Sequence, residues 1–122
     1  MLIQPLILAL LALSNPQPAG PKIILGDCSL TVGGRVILNI KRTCRIDMDD
    51  DGGFSINTRE GNERDKRPFH FAYLSVNGDG TASVSWNAEI HSLHADNPLG
   101  DDFRRKGGCW VGRRATICAF RR

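Results

Sequence analysis

The chain has 122 residues, which allows one domain, and its 16 basic and 13 acidic side chains give a formal net charge of +3. The C-terminal arginines suit phosphates, but a chain destined for export does not meet nucleic acid, so no nucleic-acid partner is expected. The apolar run from Leu6 to Leu13 is well short of the roughly 20 residues a spanning helix needs, so no membrane span is expected.

Residues 1–20 contain no Lys, Arg, Asp or Glu. Their apolar run is followed by the polar, Pro-rich break at 14–18, the layout of an export signal. Residues 1–20 are therefore expected to be a signal peptide and 21–122 a single β domain, delivered to the periplasm or secreted. Asp27 stands immediately before Cys28, where an acylated lipoprotein would need a small residue, so lipidation is not expected. An even number of cysteines in a short exported chain reads as disulfides. Cys28, Cys44, Cys109 and Cys118 allow three pairings, and nearness in sequence favours Cys28 with Cys44 and Cys109 with Cys118. No C-x-x-C pair supports a zinc site instead.

Along the rest of the chain, short β-branched and aromatic runs alternate with turn residues. Residues 29–32 and 35–40 flank Gly33-Gly34, a pair suited to a type I′ turn because both central positions need positive φ. Residues 45–48 and 54–57 flank the acidic turn 49–53, and 58–68 reads as a polar loop. Residues 69–76 and 81–86 flank Asn77-Gly78-Asp79-Gly80, with alternating apolar residues on both sides, the period of a strand with one buried face. Residues 87–100 are not strand-like; 88–94 read as a short helical turn ended by Asn97-Pro98. Residues 103–111 and 115–120 form a last hairpin. With Arg113-Arg114 as its two-residue turn, Cys109 falls opposite Cys118, and a disulfide fits there only at a non-hydrogen-bonded pair. Four hairpins predict an all-β fold, a small antiparallel barrel or sandwich of about eight strands with two disulfides.

Several constellations bear on chemistry. Asp47, Asp49 and Asp51, followed by Gly52, match the opening of a calcium loop, in which alternate carboxylates converge on a hard cation. The twelfth position of that loop holds Thr58 in place of the bidentate Glu, and the flanks are strand-like, so an acidic β-turn is the simpler reading and no metal is expected. His91 and His94 are three apart, but no carboxylate spacing completes a zinc set, and a surface turn packing Leu93 inward accounts for them. No G-x-S-x-G elbow is present and every cysteine is expected to be oxidised, so neither an enzyme nor a cofactor is predicted. Trp86 and Trp110 read as hairpin anchors; where partly exposed, either suits a sugar ring or a protein interface.

The segments CSLTVGG (28–34), CRIDMDDDGGFSI (44–56), FAY (71–73), Trp86-Asn87, His94, Leu99-Gly100, GCWV (108–111) and ICAF (117–120), in that order, resemble a family of small periplasmic proteins of Gram-negative bacteria. Some of that family resemble periplasmic lysozyme inhibitors. The Ser-Gly-x-x-Tyr segment of the C-type lysozyme inhibitors is absent, so none of their inhibitory residues maps onto this chain. The resemblance implies a protein that binds and inhibits a lysozyme, whose cleft works with two carboxyl groups. Loops 58–68 and 91–102 are the candidate plugs. The expected partner-binding residues are Arg59, Arg64, Lys66, His91, His94, Asp96, Trp86 and Trp110. The alternatives are an envelope module binding carbohydrate or peptidoglycan through Trp86 or Trp110, and a calcium-stabilised structural domain.

Overall fold

The computed structural model describes residues 22–57 and 66–121. The expected signal peptide, Thr58, Arg59 and Arg64 lie outside them. Eight antiparallel strands follow one another around a closed barrel: β1 (Lys22–Val32), β2 (Arg35–Met48), β3 (Phe54–Asn57), β4 (Phe71–Val76), β5 (Thr81–Trp86), β6 (Asn97–Lys106), β7 (Cys109–Val111) and β8 (Ala115–Arg121). The ring closes where β1 pairs with β8, from Gly26 opposite Arg121 to Val32 opposite Ala115. Closure removes the free sheet edges that an open sheet would leave exposed.

The expected count of about eight strands holds, although its partition changes in three places. Residues 35–40 and 45–48 are one strand, not two. β2 runs through an irregularity at 41–43, because β1 advances from Gly26 to Cys28 while β2 retreats from Cys44 to Ile40. Arg42 sits there at φ 70, and its backbone N–H donates to the buried carboxylate of Asp27 at 2.7 Å. A positive φ is costly for a side-chain-bearing residue, and this charge-assisted bond offsets part of the cost. The predicted strand 103–111 is two strands, because Gly107 at φ 63 begins a tight turn that pairs Lys106 with Cys109. Finally, β6 starts at Asn97, inside the stretch read as non-strand. Pro98 is tolerated near a strand start, where its missing N–H removes little from the ladder. The expected helical turn at 88–94 is instead a single turn closed by the Ser92 N–H donating to the Glu89 carbonyl at 2.9 Å.

Both disulfides pair as sequence nearness suggested. Cys109 lies opposite Cys118 in the predicted register, with Cα atoms 4.0 Å apart. The flanking pairs carry the ladder bonds: the Gly112 N–H donates to the Ala115 carbonyl, and the Ala119 N–H to the Gly108 carbonyl. Counting inward from those two pairs leaves Cys109 and Cys118 as a non-hydrogen-bonded pair, where strands approach most closely. Cys28 and Cys44 behave differently. They belong to the interior cluster and bridge β1 to β2 beside the irregularity.

Alternate residues fill the barrel. Leu30, Leu38, Ile46, Phe54, Ile56, Leu74, Val84, Leu99, Phe103 and Ile117 are buried, with the small side chains of Ala72, Ala82 and Ala115 among them. Mixing small and large side chains in this way lets a small barrel close at ordinary packing density. Gly33 and Gly34 both have positive φ, as the type I′ turn requires.

Candidate binding surface

Strict up-and-down topology sorts the connections by barrel end. The Gly33-Gly34 turn, residues 66–70 ahead of β4, the β5–β6 loop and the β7–β8 turn share one end; the other end carries the turns at 49–53, 77–80 and 107–108. Trp86 and Trp110 fall toward opposite ends. Trp86 packs on the core and its ring lies 5.4 Å from that of His70. Trp110 also packs on the core and lines a 190 Å³ pocket with Met48, Phe54 and Arg105. Both are half-buried, so each packs its hairpin on the core and leaves part of its ring open to solvent.

The β5–β6 loop is organised by Asn87, which is completely buried. Its Oδ1 accepts the Phe71 N–H at 2.7 Å, and its Nδ2 donates to the Phe69 carbonyl at 2.8 Å and to the Ser92 carbonyl at 3.2 Å. Its own carbonyl meets His70 Nδ1 at 2.9 Å. At the far side of the loop, Asn97 Oδ1 accepts the Ala88 N–H at 3.0 Å. The Ser92 hydroxyl bonds both the N–H and the carbonyl of His94. A loop with its backbone groups tied at both ends loses little further entropy when it docks.

At the outer edge of this loop Leu93 is 80% exposed, the reverse of the inward packing expected for it. The buried amide of Asn87 fixes the loop from its first residue, so the apolar position at 93 is left outside the barrel wall. Two depressions flank Leu93. One, of 180 Å³, is lined by Lys66, Arg67, Phe69, Ile90 and His91; the other, of 230 Å³, by Ser55, Asn57, Phe69 and Phe71. Lys66 and His91, both expected partner residues, thus meet around one depression. His94 and Asp96 are exposed on the same loop.

The acidic turn is spent on local structure. Asp47 lies on β2 and pairs with Arg45 at 3.4 Å. Asp51 accepts the Gly53 N–H at 3.0 Å, and Asp49 accepts the Tyr73 hydroxyl at 2.7 Å. That hydrogen bond, then partial burial, then the negative charges of Asp49 and Asp51 raise the Tyr73 pKa above the ordinary phenol value. No group of three or more His, Cys, Asp or Glu among the described residues is placed to hold a metal ion. Asp79, in the β4–β5 turn, accepts the Thr81 hydroxyl and N–H, and these bonds lower its pKa.

No family model matches the chain, and no curated protein or solved structure is significantly similar to it. The site therefore rests on this geometry. Asn87 and Leu93 escape a reading of the sequence, which shows an asparagine after a strand and a leucine in a polar stretch. The signal that was present is the run of Phe69, Phe71 and Tyr73 at period 2. Its partners Ala72 and Leu74 are buried while Tyr73 stays 40% exposed, so the aromatic set is the outward one.

Proposed function

We propose that this is an exported binding protein that inhibits a lysozyme in or near the periplasm by inserting the β5–β6 loop into the enzyme's cleft, without a catalytic step. The observation that carries the reading is Leu93, exposed at the edge of a loop whose base is fixed by the fully buried Asn87. A pre-ordered projection with an apolar residue and neighbouring Lys66 and His91 has the form needed to enter a cleft and hydrogen-bond its carboxyl groups. The resemblance of the quoted segments to a family of small periplasmic proteins, some of which resemble lysozyme inhibitors, supplies the partner class. Two disulfides in a small β fold are compatible with an oxidising compartment outside the cytoplasm. A net charge of +3 gives no long-range attraction to a basic lysozyme, so short-range fit must supply the affinity.

The test is lysis of cell-wall suspensions by lysozymes of the C, G and I types, with and without excess mature protein. Inhibition of one type, lost in Leu93→Asp at unchanged melting temperature, supports the reading. Full activity of all three types refutes it.

A further inference from the structure

The outer face of β4–β5–β6 carries a groove of 470 Å³, lined by Tyr73, Ser75, Ser83, Ser85, Pro98 and Asp101 with Val84 and Gly100. Its size falls in the usual range of small-molecule sites. The ladder explains why it exists. Between Phe103 and Pro98, β6 takes five steps against three on β5 from Ala82 to Ser85, so β6 bulges twice. Gly100, at φ 142, supplies one of the bends. The row Ser55, Tyr73, Ser85, Pro98 crosses β3 to β6, and Ser75 faces Ser83 in the next row.

We infer that this groove is a saccharide-binding site for a neutral chain of pyranose units, with Tyr73 as the stacking wall and Ser75, Ser85 and Asp101 as the hydroxyl-recognising groups. Tyr73 is 40% exposed, and its hydroxyl is tethered to Asp49, so the ring is held as a fixed wall. An aromatic face against the C–H face of a sugar ring is sequence-free, area-based contact. The hydroxyls of Ser75 and Ser85 and the carboxylate of Asp101 make no hydrogen bond or ion pair with another described residue. They retain both donors and acceptors, the complement of a polyol. Ser83 is held by Asn77 Oδ1 at 3.2 Å, which fixes the floor.

Charge and topology narrow the occupant. Asp101 in the groove and Asp49 beside the tyrosine oppose a phosphate backbone, which excludes a nucleic-acid strand as the favoured ligand. All three strands are already paired on both sides, so no edge is open for an added peptide strand. A neutral oligosaccharide meets both conditions. The groove is distinct from the Leu93 loop, and its binding is independent of lysozyme inhibition.

The experiment is an NMR titration of the isotope-labelled full mature chain with two probes, a β-1,4-linked N-acetylglucosamine trimer and cellotriose, each to about 10 mM, where a weak single-groove ligand saturates. Saturable shifts are expected at the amides of Tyr73, Ser83, Ser85 and Gly100 with at least one probe. A preference for the first assigns acetamido sugars, and for the second unsubstituted glucans. Tyr73→Ala is expected to weaken binding at least about tenfold, and Asp101→Asn, an exposed change that spares folding, by about threefold to tenfold. Absence of shifts with both probes, shifts confined to other faces, or unchanged affinity in Asp101→Asn together with a folded Tyr73→Ala overturns the site. Leu93→Asp is expected to leave this titration unchanged, so loss of inhibition and loss of sugar binding are told apart.

Discussion

Replacing Asn87 by alanine removes a fully buried side chain that joins β4, the residues before it and the β5–β6 loop. Three partner groups lose their bond: the Phe71 N–H and the carbonyls of Phe69 and Ser92. The Phe71 N–H faces a fully buried amide, so its loss carries a desolvation penalty of about 1–3 kcal/mol. Phe69 and Ser92 are half-buried and water recovers part of their loss, leaving about 0.5–1 kcal/mol each. The sum is about 3 kcal/mol, a large share of the roughly 5–15 kcal/mol that holds a domain folded. For a domain near 100 residues this lowers the melting temperature by about 12–24 °C. Thermal unfolding followed by circular dichroism measures it, with Ser92→Ala as the control that leaves the amide network intact. Hydrogen exchange should show the amides of 88–94 opening faster than those of β1 and β8. A melting temperature within about 2 °C of the parent protein would show that the loop does not depend on this side chain.

Three further outcomes follow from the geometry. Loop lengths set by separations of 16 and 9 residues give the two disulfides about 3 and about 2.5 kcal/mol in the chain-entropy model, and only the first is interior. Cys28→Ala/Cys44→Ala should therefore lose more stability than Cys109→Ala/Cys118→Ala in urea titrations, by at least about 1 kcal/mol once the cavity is added. Since folding raises the Tyr73 pKa, chiefly through the hydrogen bond to Asp49, its stabilising contribution is complete below the unfolded phenol pKa and declines as pH rises through the folded value. Stability should fall more steeply above pH about 10 in the parent than in Tyr73→Phe, by chemical denaturation across that range. Gly26→Ala places a Cβ against the backbone carbonyl of Phe120 and should open the β1–β8 seam, whereas Gly78→Ala meets open space; their melting temperatures should differ clearly in that order.

Much of the barrel was legible because turn chemistry is local. Gly33-Gly34 and Asn77-Gly78-Asp79-Gly80 each state their geometry in adjacent residues, whereas Arg113-Arg114 is poor turn chemistry and the last register came from setting Cys109 opposite Cys118. What eluded the sequence is long-range. The continuity of β2 through residues 41–43 depends on Asp27 from a neighbouring strand bonding Arg42. The start of β6 at Asn97 depends on pairing with Trp86. The candidate surface was legible only in part: Lys66, His91, His94 and Asp96 carry recognisable polar chemistry. Leu93 and Tyr73 acquire their roles from burial and cross-strand placement, which a period-2 pattern narrows to one of two faces without naming the outer one. Reading Trp86 and Trp110 as anchors was possible from size alone, because large aromatic side chains contribute most to a small core.

Because each disulfide lies within one local hairpin, oxidation need not wait for the barrel. Cys28 can meet Cys44, and Cys109 can meet Cys118, as soon as their own hairpins form, since short loops close with little entropy loss. The wrong pairings require ends of the chain more than 60 residues apart to meet first. The β1–β8 seam has the opposite character: it joins residues 26–32 to 115–121, the most distant pairing in the fold. Contacts of that separation form late. An emerging chain thus carries two correct crosslinks into a final, slow closure, and its yield in an oxidising compartment depends on the speed of that closure more than on disulfide reshuffling.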